Sequence, residues 1–345
     1  MKHRISILVL VLVMVVSALF VVASDFTDLG KPTASKESFF AHLSKQKLTE
    51  VTIESDFSGM MKNRDKKVVK DALLILKDAT GVSKKYPIEI RLRGKSRREL
   101  CDFPPLKLKF SETLLKMEGF KGAFDDYKLV THCMNNSASV LKEFLAYQLY
   151  NQLTEFSFRV HLLEVTYVDR SGEMEPIRQY GFLLENYSEM ASRLNAKKMP
   201  GELLPNTQVP IEDYQRLALF QYMIGNTDWN LYRQHNIKWL HIKNGAIPVP
   251  YDFDSAGLID APYAKPHPSL PIASVRERFL QYRGTDFQAL ENRRTELVRK
   301  QLDLFQIFEV FQFLGAEDKQ KMLNYLNEFF TMDQLAFTNH KPRDS

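Results

Sequence analysis

The chain has 345 residues, 44% of them apolar and 26% charged, enough for one large bilobal domain or two small ones. Its 47 basic and 42 acidic side chains leave a net charge of +5, spread along the sequence. No basic block is interleaved with stacking aromatics, so no nucleic-acid partner is expected.

The first residues, "MKHR", precede an uncharged run from Ile5 to Ser24, "ISILVLVLVMVVSALFVVAS". A basic start, an apolar stretch and the small residues Ala23 and Ser24 fit an export signal. The run is also long enough to span a membrane, and a buried core helix would need a polar face that it lacks. Either way Lys2 and Arg4 stay inside, so the rest of the chain is expected outside: periplasmic, on the cell surface, or membrane-anchored and facing outward. Cys101 and Cys133 either join in such an oxidising compartment or remain separate buried thiols; two cysteines are too few for a disulfide scaffold.

No internal repeat or low-complexity segment interrupts the rest. Residues 25–47 read as a polar lead-in with a short helix around Phe39 to Leu43. "LTEVTIESD" alternates as a strand, and "DALLILKD" and "PIEIRLRG" form a hairpin around a loose loop. "PPLKLKFS" alternates again, with Lys107 and Lys109 on one face and Leu106, Leu108 and Phe110 on the other. "YKLVTHC" is a further strand. "NSASVLKEFLAYQLYNQL" carries Val140, Leu141, Phe144, Leu145, Leu149 and Leu153 at helical spacing. "RVHLLEVTYVD" and "RQYGFLLENY" read as two strands joined by "RSGEME". Periodicity fades at 186–200, where a boundary is expected. A helix over about 211–224 stops at Gly225. "HNIKWLHI" and "AIPVPYDFD" then form a hairpin around Asn244-Gly245. From about Val275 onward the chain reads mostly helical.

The stretch "IGNTDWNLYRQHN" and the following "YDFDSAG" carry the chemistry. Asp and Asn suit turns, and Asn230 reads as a turn residue only. Yet Asp228 sits just past a helix end, Asn236 opens one arm of a hairpin, and Asp252 closes the other. The hairpin therefore brings Asn236 and Asp252 to one end. Carboxylates and an amide oxygen meeting there would suit magnesium, which is held by one or two carboxylates plus substrate phosphates. Protein kinases arrange a base Asp, a metal-binding Asn and a metal-binding Asp in this way.

The block "IGNTDWNLYRQHNIKW…PVPYDFDSAG" resembles the spore-coat protein H (CotH) kinase family, an atypical branch of the protein-kinase-like fold. Its N-x-D…N and Y-D pattern is also distantly similar to HipA-type kinases. Upstream, "IRLRGKS", "PPLKLKF" and "YGFLLENY" resemble that family's strand-turn, lysine-bearing strand and hinge strand, so the matches run over residues 88–260. The resemblance implies an α+β, two-lobed protein-kinase-like fold, with a strand-rich N-lobe over 48–190 and a mainly helical C-lobe over 191–340 following the segment 1–24, signal peptide or anchor, and the lead-in 25–47.

It further implies ATP and Mg2+, with Mn2+ as a substitute. Asp228 would be the base or orient an acceptor hydroxyl, and Asn236 and Asp252 would hold the metal, with Asp254 as a rival ligand. Lys107 or Lys109 would pair with the nucleotide phosphates, Glu143 with that lysine, and Glu185 would lie at the hinge. Eight residues separate Asp228 from Asn236, against five in the ordinary kinase motif.

Structural readings stand beside these. Lys107 and Lys109 suit a solvated strand face, Glu143 an exposed helix face, and Glu185 the hinge backbone. Arg91, Arg93, Lys95, Arg97 and Arg98 suit a solvated strand and loop, although cations near Gly94 could receive phosphate. "GKS" at 94–96 is no Walker A ending, because Glu89 stands where that motif needs glycine. Two functions are therefore expected: an exported kinase acting on a protein or polysaccharide hydroxyl, or a non-catalytic envelope binding or assembly module that keeps the fold. A metal-dependent hydrolase built on Asp228, Asp252 and Asp254 trails both.

Overall fold

Alternating apolar residues build the first half of the molecule. The computed structural model describes residues 37–64, 68–77, 81–134, 137–199, 208–243 and 245–335. The expected export segment 1–24, most of the lead-in, Asn244 of the expected turn and residues 336–340 of the expected C-lobe lie outside them.

After helix α1 (Phe39–Leu43) come β1 (Thr49–Ser55), α2 (Phe57–Lys62), β2 (Val69–Lys77), β3 (Ser83–Leu92), α3 (Lys95–Leu100), β4 (Leu106–Phe110), α4 (Glu112–Met117) and β5 (Asp126–Val130). Helix α5 (Ala138–Leu153) precedes β6 (Val160–Asp169) and β7 (Ile177–Leu184). These seven strands close into a barrel in the order β1-β2-β3-β4-β5-β7-β6, shut by a parallel pairing of β1 with β6. Closure removes the sheet edges that would otherwise template aggregation. One face of each strand fills the barrel: Ile53, Leu74, Ile90, Leu106, Leu108, Leu129, Val165 and Leu183 are all buried in one cluster. Helix α5 lies against the outer face, where Val140, Leu145 and Leu149 meet Val130, Leu162, Phe182 and Leu184. Each such fully buried side chain contributes about 1.5–3 kcal/mol.

The second half holds α6 (Tyr187–Arg193), β8 (Lys197–Met199), α7 (Ile211–Met223), β9 (Ile237–Ile242), β10 (Gly245–Pro250), α8 (Phe287–Val298), α9 (Gln301–Val310) and α10 (Ala316–Thr331). Strands β10, β9 and β8 form a small sheet. Apolar residues from α7 to α10 extend the core of α5, so one cluster runs from the barrel wall to the last helix. The chain is thus α+β, a seven-stranded barrel joined to helices and a three-stranded sheet.

Several details differ from the expectations. Residues 275–286 form no helix, and the helical stretch begins at Phe287. The second hairpin arm ends at Pro250 rather than Asp254. Within the span expected to lack periodicity, α6 and β8 appear; three to seven residues are too few to leave a periodic signal. The short helices α2, α3 and α4 were also unannounced. Asp56 and Ser111 cap α2 and α4 by accepting from Gly59 N and Leu114 N. Cys101 and Cys133 form a disulfide that ties the end of α3 to the segment before α5.

Candidate functional site

Helix α7 ends where the chain must turn sharply. Gly225 takes φ +65°, and a Cβ there would stand 1.9 Å from the Tyr325 hydroxyl, so both backbone and space demand glycine. The turn delivers Asn226, whose side chain donates to Gln221 Oε1 and accepts from the Asp228 amide at 3.0 Å. Trp229 and Leu231, both buried beside Trp239, pin the loop that follows. Asp228, just before Trp229, is left half-exposed.

Two groups hold the Asp228 carboxylate. His235 Nε2 lies 2.8 Å from Oδ1, and Asn236 Nδ2 donates to Oδ2 at 3.0 Å and to the Asp228 carbonyl at 2.7 Å. Asn236 is buried, and its carbonyl accepts from Tyr251 N across the hairpin end at 3.0 Å. Asp252 follows, its amide donating to the Tyr147 hydroxyl of α5 at 2.8 Å. Asn236 and Asp252 have φ of +53° and +65°. Among side-chain-bearing residues, Asn and Asp tolerate that left-handed conformation best, so backbone geometry alone already favours these residue types here.

The sequence offers Arg97 either to a solvated loop or to a phosphate near Gly94. It is buried instead, and it gathers three carboxylates. Its Nη2 ion-pairs with Asp252, its Nε lies 2.9 Å from Asp254 Oδ2, and its Nη1 lies 3.7 Å from Glu143 Oε2. Burial works against the guanidinium charge, but Asp254 and Glu143 outweigh it and hold Arg97 above its ordinary pKa. Glu143 stands farther off. For it burial wins, and its carboxyl is pushed up; Oε1 has no hydrogen-bond partner among the described residues. The disulfide supports this arrangement, since Cys101 N caps α3 on Arg97 O at 2.9 Å and Cys133 leads into the helix that carries Glu143.

A cationic wall adjoins the acidic one. Arg91, Lys107 and Lys128 face one another in direct register across β3, β4 and β5. Like charges opposite one another in a sheet are unfavourable. Lys107 is relieved by an ion pair with Asp126, and Lys109 by one with Asp125. Lys128 has no carboxylate partner among the described residues; its ammonium lies 4.6 Å from the Tyr251 ring centre. Lys238 approaches the same ring at 5.6 Å. Burial, then Arg93 and Lys238, push Lys128 down to about 7. Burial likewise lowers Arg93, with Arg97 adding to it.

The sequence-nominated residues therefore divide. Asn236 bonds Asp228 through its side chain and Tyr251 through its carbonyl, while Asp252, the residue after Tyr251, turns its carboxylate to Arg97, which Asp254 and Glu143 share. Lys107 and Lys109 pair with acids of β5 and its entry, not with Glu143. Glu185 is buried at the end of β7, accepting from Arg159 N at 3.0 Å and from Arg193 Nε at 2.8 Å. Arg93, Arg97, Lys128 and Lys238 are the site residues that the sequence reading missed or left between solvent and phosphate. Among the described residues, no group of three or more His, Cys, Asp or Glu has metal-holding geometry.

No protein-family model matches the chain, and no curated protein does. Among solved structures it is similar to the proinflammatory kinase CtkA of Helicobacter pylori, with 8% identity and a TM-score of 0.34. That similarity covers 75% of this chain and 87% of CtkA. A likeness so slight carries no argument about fold or function.

Proposed function

We propose that the protein is an ATP-dependent phosphotransferase of kinase-like construction, its barrel acting as N-lobe and its helices and small sheet as C-lobe. The observation that carries this reading is the meeting of two walls. Asp228, fixed by His235 and Asn236, is tied through Asn236 to Tyr251. Lys128 and Lys238, without carboxylate partners among the described residues, lie over the ring of that same Tyr251. Phosphoryl transfer needs little beyond this: cations for the phosphate oxygens and a carboxylate that orients the acceptor hydroxyl.

In this reading Lys128, Arg93 and Lys238, rather than Lys107 or Lys109, hold the nucleotide phosphates. Asp228 accepts the proton of the attacking hydroxyl, and His235 keeps its carboxylate aimed. The acceptor is a protein or surface-polysaccharide hydroxyl outside the cytoplasm. The Cys101–Cys133 disulfide supports an oxidising compartment. Whether the expected magnesium fits is a question for the donor set. Asn236 and Asp252 offer hard oxygens, but Asp252, Asp254 and Glu143 already face Arg97. With that guanidinium in place the residues do not fit a divalent ion.

A second reading is the non-catalytic envelope module that binds a nucleotide or another polyanion. The same occupation of Asp252 and Asp254 by Arg97 favours it. Transfer from γ-labelled ATP separates the two. Asp228→Asn should abolish transfer and leave ATP binding within about threefold of wild type, whereas Lys128→Ala should weaken binding at least about tenfold. Transfer that survives Asp228→Asn refutes the assignment, and ATP binding without transfer by the wild type selects the module.

A further inference from the structure

We infer that Arg97 is a resident counter-cation that takes the place of a divalent metal ion on Asp252, so that this site binds phosphate without metal. The ordinary logic of such a site is that clustered carboxylates need a cation, because buried charges must be paired. Here the cation belongs to the chain. Arg97 is buried, and each of its three nitrogens is directed to a different carboxylate: Nη2 to Asp252, Nε to Asp254 and Nη1 to Glu143. Glu143 keeps Oε1 buried and without a hydrogen-bond partner among the described residues, while its Oε2 faces the Arg97 guanidinium. Tyr147 and Tyr263 complete the surroundings of the guanidinium, and Arg93 adds a second positive charge nearby.

A metal ion bound to Asp252 would stand within a few ångströms of Arg97, and like charges at that separation in a protein interior repel strongly. The two cations therefore exclude each other. The guanidinium also has little freedom to withdraw. Its helix is closed at Cys101, which is bonded to Cys133 at a Cα separation of 4.5 Å. Placement by a covalent staple is what a permanent counter-ion needs and what a mobile gate does not.

The test titrates Mn2+ alone, without nucleotide, and follows it by electron paramagnetic resonance and by the unfolding midpoint. Wild type should bind no Mn2+ at this site at about millimolar concentration, and its midpoint should not move. Arg97→Gln, which keeps polar length and removes the charge, should bind Mn2+ at least about tenfold more tightly than wild type. Adding Asp252→Asn to that variant should remove the gain. Arg97→Lys retains a positive charge and should stay as metal-blind as wild type.

Removing one member of a buried ionic cluster is strongly destabilising. Should Arg97→Gln fail to fold, Asp252→Asn alone decides: it should leave Mn2+ titrations of the folded protein unchanged. Wild-type Mn2+ binding that Asp252→Asn abolishes, or a folded Arg97→Gln that gains none, overturns the inference. A further arm rests on the phosphotransferase reading. ATP affinity of the wild type should change less than about threefold between Mg2+ and EDTA. Loss of ATP binding in EDTA counts against metal independence, whereas absence of ATP binding in both conditions defeats the phosphotransferase reading and leaves the Mn2+ outcomes to decide.

Discussion

Replacing Glu189 by glutamine should change how stability depends on pH. Glu189 lies in the first turn of α6, is 7% exposed, and accepts a hydrogen bond from Ser38. Burial pushes its carboxyl up to about 7, partly offset by the Ser38 and Tyr127 hydroxyls and reinforced by Glu185. The unperturbed value is 4.5. The folded state therefore keeps a proton that the unfolded chain gives up between these values. Folding is favoured by this group below pH 4.5, and the contribution fades as pH rises to about 7. At about 1.36 kcal/mol per unit, the linkage amounts to about 2.5 kcal/mol between pH 5 and pH 8.

Glutamine stays neutral throughout, so Glu189→Gln should gain about 2.5 kcal/mol on wild type over that interval. His132 and His161 titrate in the same range, because burial pushes both down to about 4. Both occur in both proteins, so their effect cancels in the difference. The assay is equilibrium denaturation in urea of the two proteins at pH 5 and pH 8. A stability difference that stays constant between the two pH values within about 0.5 kcal/mol would show that Glu189 titrates like an ordinary surface carboxylate, and the reasoning from burial would fail.

Three further outcomes are expected. Replacing Cys101 and Cys133 together by alanine opens a loop of 32 residues and should cost about 3–4 kcal/mol in denaturant titrations; a loss under about 1 kcal/mol would mean that packing, not the staple, holds α3. ATP affinity should weaken as pH rises above about 7, where Lys128 loses its proton, by up to about tenfold per pH unit; Lys128→Arg should flatten that profile, and calorimetry at pH 6 and 8.5 would reveal an equal slope in both proteins if Lys128 is not the contact. Gly225→Ala should destabilise by more than about 2 kcal/mol, since it adds a left-handed side chain to a clash with Tyr325; adding Tyr325→Phe should recover only the clash, and full recovery would show that the backbone angle costs nothing.

The strands could be read from the sequence because each carries its own signal, whereas their closure into a barrel rests on the parallel pairing of β1 with β6, which no local pattern announces. Leu106, Leu108 and Phe110 alternate with Lys107 and Lys109, and burial follows that alternation residue by residue. Helix α5 was equally plain, although its buried face includes Glu143, which periodicity assigns only to a position and not to a partner. The pairing of Asn236 with Asp228, and the placing of Asp252 at the same hairpin end with its side chain on Arg97, follow a similar logic. A helix end and a hairpin are local features, and antiparallel pairing of β9 with β10 forces Asn236 and Asp252 to one end.

Partnerships that cross between distant segments were not legible. Arg97 lies in the polar run "RGKSRREL", where nothing marks one arginine as buried, and its three carboxylates are supplied from α5 and from the end of the hairpin. Lys128 is a single lysine in a five-residue strand, too short for its alternation to mean much. One clue did stand in plain view. The two acids of "FDDYK" sit where β5 begins, and an antiparallel β4–β5 pair must bring them beside Lys107 and Lys109. Charge balance along that ladder already ties Lys107 to Asp126 and Lys109 to Asp125, and leaves Lys128 outside those two ion pairs. Local period finds the walls of such a site, whereas an account of which cation keeps its carboxylate singles out Lys128, which lies over the Tyr251 ring.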